Sequence, residues 1–558
     1  MSDPYRQLNA NLPQRDAGAA AFASDPGALG AWVDALPLAN ASVAAVRMCE
    51  GLRALNAKVL DGSRRLHALE RLRAAAKGLA QGFERQITGS SFPLPAQKID
   101  FGELALSLHG ELAAGYRIAL AEVCAPAGNA PFLRGGQVAL AATRALQHGS
   151  AHLATAYLLY RMPPIGAWQA LHAVYAFVAA LRLDDRGVDG TSARLEYVQA
   201  LLLALANPYG STQREQGELA GWTCALAPHC ELRHGNGAPH DVVIPDMTDR
   251  GPGYLPDEQA SGRRDVPVLR LQPMLTFVEE QMAMARSDAR VMAFRRSGGT
   301  ALQVDSGLVR RAFAGWSGRG DRGRARMPDD HPLESVLGLH DLHFVLAGDE
   351  DFETFMRNVQ GEAISLSDTD RAAPWQHRVS EAWRVRRLQA RVIDQSAGGC
   401  RIVWEPAAVG EGPRARVGEL VGLRAPGGHA QWTIGVIRWL RIDDDGRTDA
   451  GIERLAPHVL PVGVRASDRG RVVRGLLLST AERSREGGHD ALLVPTEIDR
   501  AVTEVEVFIP AQPESSRPAR NIRINGLRLL EAGGIHHHFA LVSGVDASAD
   551  TAGTFATA

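Results

Sequence analysis

A chain of 558 residues exceeds what one hydrophobic core can serve, so roughly two to four domains are expected. Lys and Arg total 61 against 63 Asp and Glu, and the resulting net charge of -2 excludes non-specific capture of a nucleic-acid polymer. Five scattered cysteines (Cys49, Cys124, Cys224, Cys230, Cys400) do not make a disulfide framework, residues 1–18 lack an apolar leader core, and the most apolar run, residues 151–160, is too short to insert into a membrane. These features point to the cytoplasm.

In chain order, residues 1–29 read as a flexible N-terminus and residues 30–235 as a helical domain. Leu52, Leu55, Val59, Leu66, Leu69 and Leu72 recur mostly at three- and four-residue steps, the stripe of a core-facing helix surface. Ser63 is the expected N-cap after the break at Asp61-Gly62. Further helices are expected at 102–124, 136–161, 165–182 and 192–206, separated by Pro126 and Gly128, Pro163-Pro164, residues 184–190 and Asn207-Pro208.

Residues 236–346 read as an α+β middle region. It has a short strand at Val242-Val243-Ile244 and a helix at 272–286. A basic loop with Arg319, Arg322, Arg324 and Arg326 fits a solvated loop better than a phosphate site. The apolar run at 336–346 reads as strand-like, with His340 and His343 in packing roles. Residues 347–380 read as a linker. From 381 the pattern turns to β: Leu388-Gln389-Ala390-Arg391-Val392-Ile393 alternates, as does the run from Gln431 to Trp439, and Asp445-Gly446 signals a hairpin. Residues 471–546 form a further β-rich segment, and residues 547–558 read as a disordered tail.

Between two of these strands stands Asp394-Gln395-Ser396-Ala397-Gly398-Gly399. Its Asp-x-Ser-x-x-Gly spacing resembles the signature of PilZ domains, β-barrels that bind cyclic di-GMP. Three later segments resemble the family's succeeding strands in order: 417–423, 435–439 and Gly451-Ile452-Glu453-Arg454-Leu455. Upstream, Trp168-Gln169-Ala170-Leu171-His172-Ala173-Val174-Tyr175 and Asn207-Pro208-Tyr209 resemble bacterial PilZ proteins with a long helical N-terminal region.

The resemblance implies a multidomain α+β protein with an all-α N-terminal region, an α+β middle region and a C-terminal antiparallel barrel at 381–470. It implies cyclic di-GMP as ligand, no cofactor, no catalysis and a protein partner docked elsewhere. Asp394, Ser396 and Gly399 would supply the ligand site on the barrel. A carboxylate accepts from the guanine N1–H and N2–H2 face, a hydroxyl bonds base or turn, and glycine admits a flat ligand. Arg suits both phosphate and the guanine O6/N7 edge. The family's Arg-x-x-x-Arg lies well ahead of the motif, whereas Arg387 and Arg391 abut Asp394. Arg386, Arg387 and Arg391, with Arg378 behind them, are the expected anion contacts. The alternative is a helical scaffold whose barrel no longer binds ligand. An Asx-type turn with a glycine bulge explains the same six residues without one.

Cys224, His229, Cys230, His234 and His240 match no zinc-finger spacing and read as buried cysteines with surface histidines. His536-His537-His538 reads as edge histidines of a strand, and Asp443-Asp444-Asp445-Gly446 as a solvated hairpin tip.

Overall fold

The structure is a computed structural model. It describes residues 4–16, 22, 25–235, 241–245, 248–254, 266–285, 291–295, 301–318, 326–360, 385–406, 412–427, 431–456, 458–466, 470–479, 491–495, 498, 502, 504–511, 518–525, 528–529, 539–543 and 546–548. Arg319, Arg322, Arg324, Arg378, His240 and His536-His537-His538 lie outside the described residues. The chain divides into two units, residues 1–90 with 94–321, and residues 322–558 with 91–93.

The first unit is a helical bundle. Its long members are Ala41–Ala57, Gly62–Ile87, Ala96–Val123, Gly135–Leu158, Ala167–Ala180, Ala193–Leu205 and Gln213–Leu226. Leu52, Leu55, Leu66, Leu69 and Leu72 are fully or almost fully buried, as the stripe predicts. Val59 is not part of it: the helix stops at Ala57, and Val59 is 56% exposed. The cap of the next helix is Asp61 rather than Ser63, because the Asp61 carboxylate accepts from the Ser63 and Arg64 amides. Thr212 and Glu215 cap the last bundle helix reciprocally.

The expected flexible N-terminus is partly ordered. Pro4–Asn9 is helical, Arg117 donates to the carbonyls of Leu8 and Ala10, and the Tyr5 hydroxyl donates to Ala121 O at 3.0 Å. Buried donors and acceptors of this kind hold a short helix that could not form alone.

The middle region does not stand apart. Glu231–Gly235, Val266–Arg270, Val242–Val243 and Gly253–Tyr254 form a four-stranded antiparallel sheet in that order, and Val291–Arg295 pairs with Ala301–Asp305. All belong to the first unit. Trp316, on helix Ser306–Trp316, is buried against Trp222 and donates to Leu202 O at 2.9 Å, tying this region to the bundle.

The second unit contains a closed antiparallel barrel of six strands. In chain order they are Pro332–Leu337, Leu388–Ser396, Gly399–Trp404, Leu420–Arg424, Thr433–Ile442 and Thr448–Ala456. Around the barrel the first pairs with the second, the second with the third, the third with the sixth, then fifth, fourth and back to the first. Closure removes both edges. The first strand comes from the run read as part of the middle region. Only 332–337 is extended; Leu339–Leu346, which carries His340 and His343, is a helix after Gly338 (φ 86°). The expected linker likewise contains a helix, Phe352–Gln360.

Helix Leu339–Leu346 is a wedge between the barrel and a second sheet. Val336, Leu342, Leu420, Ile434 and Val436 on one side share a core with Leu476, Leu478 and Leu493 on the other. Burying each such side chain contributes about 1.5–3 kcal/mol, so this contact is a core rather than a loose tether. The second sheet has eight antiparallel strands. His458–Arg465 and Val472–Ser479 lie at its centre, and Ala491–Pro495, Glu504–Ile509, Arg520–Asn525, Arg528–Leu529, Phe539–Ser543 and Asp546–Ser548 complete it. The C-terminal β-rich segment therefore joins a separate sheet, which also takes His458–Arg465 from the stretch read as barrel and has its own core of Val462, Leu477, Leu492, Val507 and Ile524.

Candidate functional site

The motif forms the tightest hairpin of the barrel. Ser396 pairs with Gly399 across a two-residue turn, Ala397-Gly398, and Asp394 pairs with Arg401 before the register slips at Ile393. The Ser396 hydroxyl donates to Gly399 O at 3.3 Å, which closes the turn. Gly399 is required by space. A Cβ there would stand 2.0 Å from the Ile452 carbonyl oxygen on the sixth strand. Gly398 O in turn accepts from the Arg454 amide at 2.9 Å.

A short strand, Met327–Pro328, adds to the same hairpin by pairing with Gln395 and Asp394. This pairing delivers Arg326 to the motif, where its Nη1 donates to Asp394 Oδ1 at 2.8 Å. Asp394 is mostly covered and Arg326 is exposed, so the guanidinium sits over the carboxylate at the solvent face. Asp329 organises the neighbouring loop. Its carboxylate accepts from His331 Nδ1 at 2.8 Å, Gln395 Nε2 at 2.6 Å and the Asp330 amide. The His331 hydrogen bond, helped by that amide, holds its pKa below the usual carboxylate range. Arg401 is spent on Asp449, with Nη2 at 2.7 Å and Nε at 3.0 Å.

The arginines expected from sequence lie elsewhere. Arg387 pairs with Asp349 and lies 3.8 Å from Glu334, and Arg391 pairs with Asp330. Arg386 has a buried Nη1 with no hydrogen-bond partner among the described residues. None of the three makes a hydrogen bond or ion pair to Asp394 or Ser396 among the described residues. The residue that sequence reasoning set aside is Arg326. Its signal was present: Arg322-Gly323-Arg324-Ala325-Arg326 has the Arg-x-x-x-Arg spacing, but stands 68 residues before Asp394. The insertion between the first two barrel strands hides the link.

Behind the motif the barrel interior is open. A cavity of about 190 Å³ is lined from all six strands, by Leu333, Val392, Cys400, Leu423, Thr433 and Ile452 among others. Burial pushes the Cys400 thiol up to about 11. Such a thiol is almost entirely protonated at neutral pH and reacts slowly.

The other clusters stay dispersed. Cys230 is buried, Cys224 is exposed, and the His229 ring stacks on Phe277. His340 is exposed beside Asp341, whereas His343 is buried in the wedge. Among the described residues no group of His, Cys, Asp and Glu is arranged to hold a metal, and no helix is long and apolar enough to cross a membrane.

Two family models match the chain. Residues 27–238 match the N-terminal domain of the cyclic-di-GMP receptor FimW, and residues 365–461 match its middle PilZ domain. The cyclic-di-GMP receptor FimW of Pseudomonas aeruginosa is 25% identical over 547 residues, covering 88% of this chain and 85% of the relative. No solved structure gives a significant match. The PilZ match takes in five of the six barrel strands and leaves out Pro332–Leu337. With a closed six-stranded barrel carrying Asp394, Ser396 and Gly399, and a helical region matched on its own, the chain is a PilZ-domain protein with a long helical N-terminal region.

Proposed function

We propose that this protein is a cytoplasmic, non-enzymatic effector that binds cyclic di-GMP on its barrel and passes the occupancy to a protein partner. The observation that carries the reading is the Arg326–Asp394 pair beside the Ser396–Gly399 turn. It puts a guanidinium, a carboxylate and a glycine turn together on one edge. Asp394 would accept from guanine N–H groups, and Arg326 would turn to phosphate or the O6/N7 edge. Ser396 would bond base or turn, and Gly399 would let the ligand lie flat. Arg322, by its spacing to Arg326, would be the second guanidinium. The similarity to a protein described as a cyclic-di-GMP receptor supports the same ligand.

Arg386, Arg387 and Arg391, with Arg378 before them, stay in the proposal as anion contacts, of which Arg387 and Arg391 must first exchange partners. Arg387 would release Asp349, which follows helix Leu339–Leu346 directly. That helix is packed between barrel and second sheet. Ligand would thus bias the wedge between two arrangements, a population shift set by differential affinity.

Calorimetric titration of cyclic di-GMP into the full chain tests this. Binding should weaken on the order of tenfold or more in Asp394→Ala and in Arg326→Ala, as expected for charged hydrogen bonds. No heat at ligand concentrations well above micromolar would refute the reading. Such a result would favour a scaffold whose barrel has lost its ligand, for which the engaged state of Arg387 and Arg391 speaks.

A further inference from the structure

A barrel of six strands is narrow enough for side chains to fill it. Here Gly399, Cys400, Thr433 and Gly435 are too small to do so, and the cavity behind the motif remains. At ~30 Å³ of liquid volume per water, its 190 Å³ has room for about six. A phosphate or the edge of a purine fits in such a space.

The polar lining selects the class of group. It comprises His331, Gln395, Arg424, Gln431, Thr433 and Arg454, with no carboxylate. Arg424 is already engaged. It donates to Glu334 and lies 4.5 Å over the Trp432 ring. Arg454 makes no ion pair among the described residues. Its amide is bonded to Gly398 O, so the residue stands directly across the motif turn. Ile452 and Arg454 are two apart on the sixth strand and share a face, and both line the cavity. After burial, the charges that act most on the Cys400 thiol are Arg454, then Asp394 and Arg326. Arg454 and Cys400 line the cavity, and Gln395 carries the lining up to the residue beside Asp394.

We propose that the barrel mouth is a subsite of the ligand site: one acceptor-bearing group of the cyclic dinucleotide, a guanine O6/N7 edge or a phosphate, enters it and is held by Arg454. This rests on the cyclic di-GMP reading and adds a contact from inside the barrel to those on its rim.

Two measurements on the full chain test it. Titration of cyclic di-GMP into Arg454→Ala should show affinity reduced on the order of tenfold to a hundredfold, the worth of one bidentate contact. Repeating this with cyclic di-AMP separates the sources. A loss confined to cyclic di-GMP assigns the contact to the base edge, and an equal loss in both assigns it to phosphate. Independently, alkylation of Cys400 in the wild type, read by peptide mass spectrometry, should slow when cyclic di-GMP is bound, with exposed Cys224 as internal reference. That readout decides the matter even if Arg454→Ala folds poorly. Binding with Cys400 unprotected, or a well-folded Arg454→Ala that binds as the wild type does, overturns the subsite alone. A wild type that takes up no cyclic di-GMP ends the effector reading and the subsite together.

Discussion

Replacing Gly399 by alanine is expected to destabilise the barrel by about 1–3 kcal/mol or more, the cost of overpacking a fixed contact. The new Cβ would meet the Ile452 carbonyl oxygen at 2.0 Å, its carbon at 3.1 Å and Glu453 Cα at 3.2 Å. All three are backbone of the sixth strand, so no side chain can swing away to relieve the clash. The third and sixth strands must part at the Gly399–Glu453 pair, which opens the barrel beside the motif. Dinucleotide binding should fall with it. Urea unfolding followed by the fluorescence of Trp404 and Trp439 measures the loss. Gly78→Ala is the control. It lies within helix Gly62–Ile87, where a Cβ meets nothing within 4 Å, and should gain about 0.5–1 kcal/mol. An unchanged unfolding midpoint for Gly399→Ala would mean that the close approach to Ile452 is wrong.

Acid should loosen the joint between barrel and second sheet through His343. Its ring is 1% exposed, edge-on to Phe352 and Phe355, with Nε2 at 3.3 Å from Val462 O. Burial first, then the charge of Arg474, pushes its pKa down from 6.5 to about 3, against a smaller upward pull from the Val462 hydrogen bond. Between those two values the unfolded chain holds a proton there and the folded chain does not. Stability therefore rises with pH across this window and is lost as pH falls from 6.5 toward 3. At ~1.4 kcal/mol per pH unit the ceiling is about 5 kcal/mol. His343→Phe keeps the aromatic packing and removes the titration. The stability gap between wild type and His343→Phe, measured by urea unfolding at several pH values, should shift by some kcal/mol between pH 7 and 4. A constant gap would show that His343 titrates normally. The helical unit carries a parallel case in His152, whose pKa burial lowers to about 4.

Five of the barrel strands and the motif hairpin were legible in the sequence because alternation, a hairpin signal and the Asp-x-Ser-x-x-Gly spacing occur there in unbroken order. The first strand was not. Pro332–Leu337 runs straight into Leu339–Leu346, and two short apolar segments of different period read as one. Gly338 at φ 86° is the only punctuation between them. For the arginines, the same insertion separates nearness in sequence from nearness in space. Arg387 and Arg391 are near Asp394 in sequence, but in space they belong to Asp349 and Asp330. Arg326 is far in sequence and reaches Asp394 through a two-residue strand pairing that no local pattern announces. Arg454 reads in the sequence only as part of a strand, since nothing in Gly451-Ile452-Glu453-Arg454 says that the arginine shares the inward face with Ile452.

The long interruption after Pro332–Leu337 also sets a timetable for the ribosome. This strand leaves the exit tunnel about 50 residues ahead of Leu388–Ser396, its nearest partner in the chain, a wait of roughly 3–10 s at ~5–20 residues per second. Its other neighbour, Leu420–Arg424, comes later still, and the ring closes only once Thr448–Ala456 has been made. Until then a nascent chain presents an unpaired β edge, open to the same strand on a following ribosome. Leu339–Leu346, translated immediately after it and packed against it in the finished protein, is the first segment available to cover the strand's apolar face.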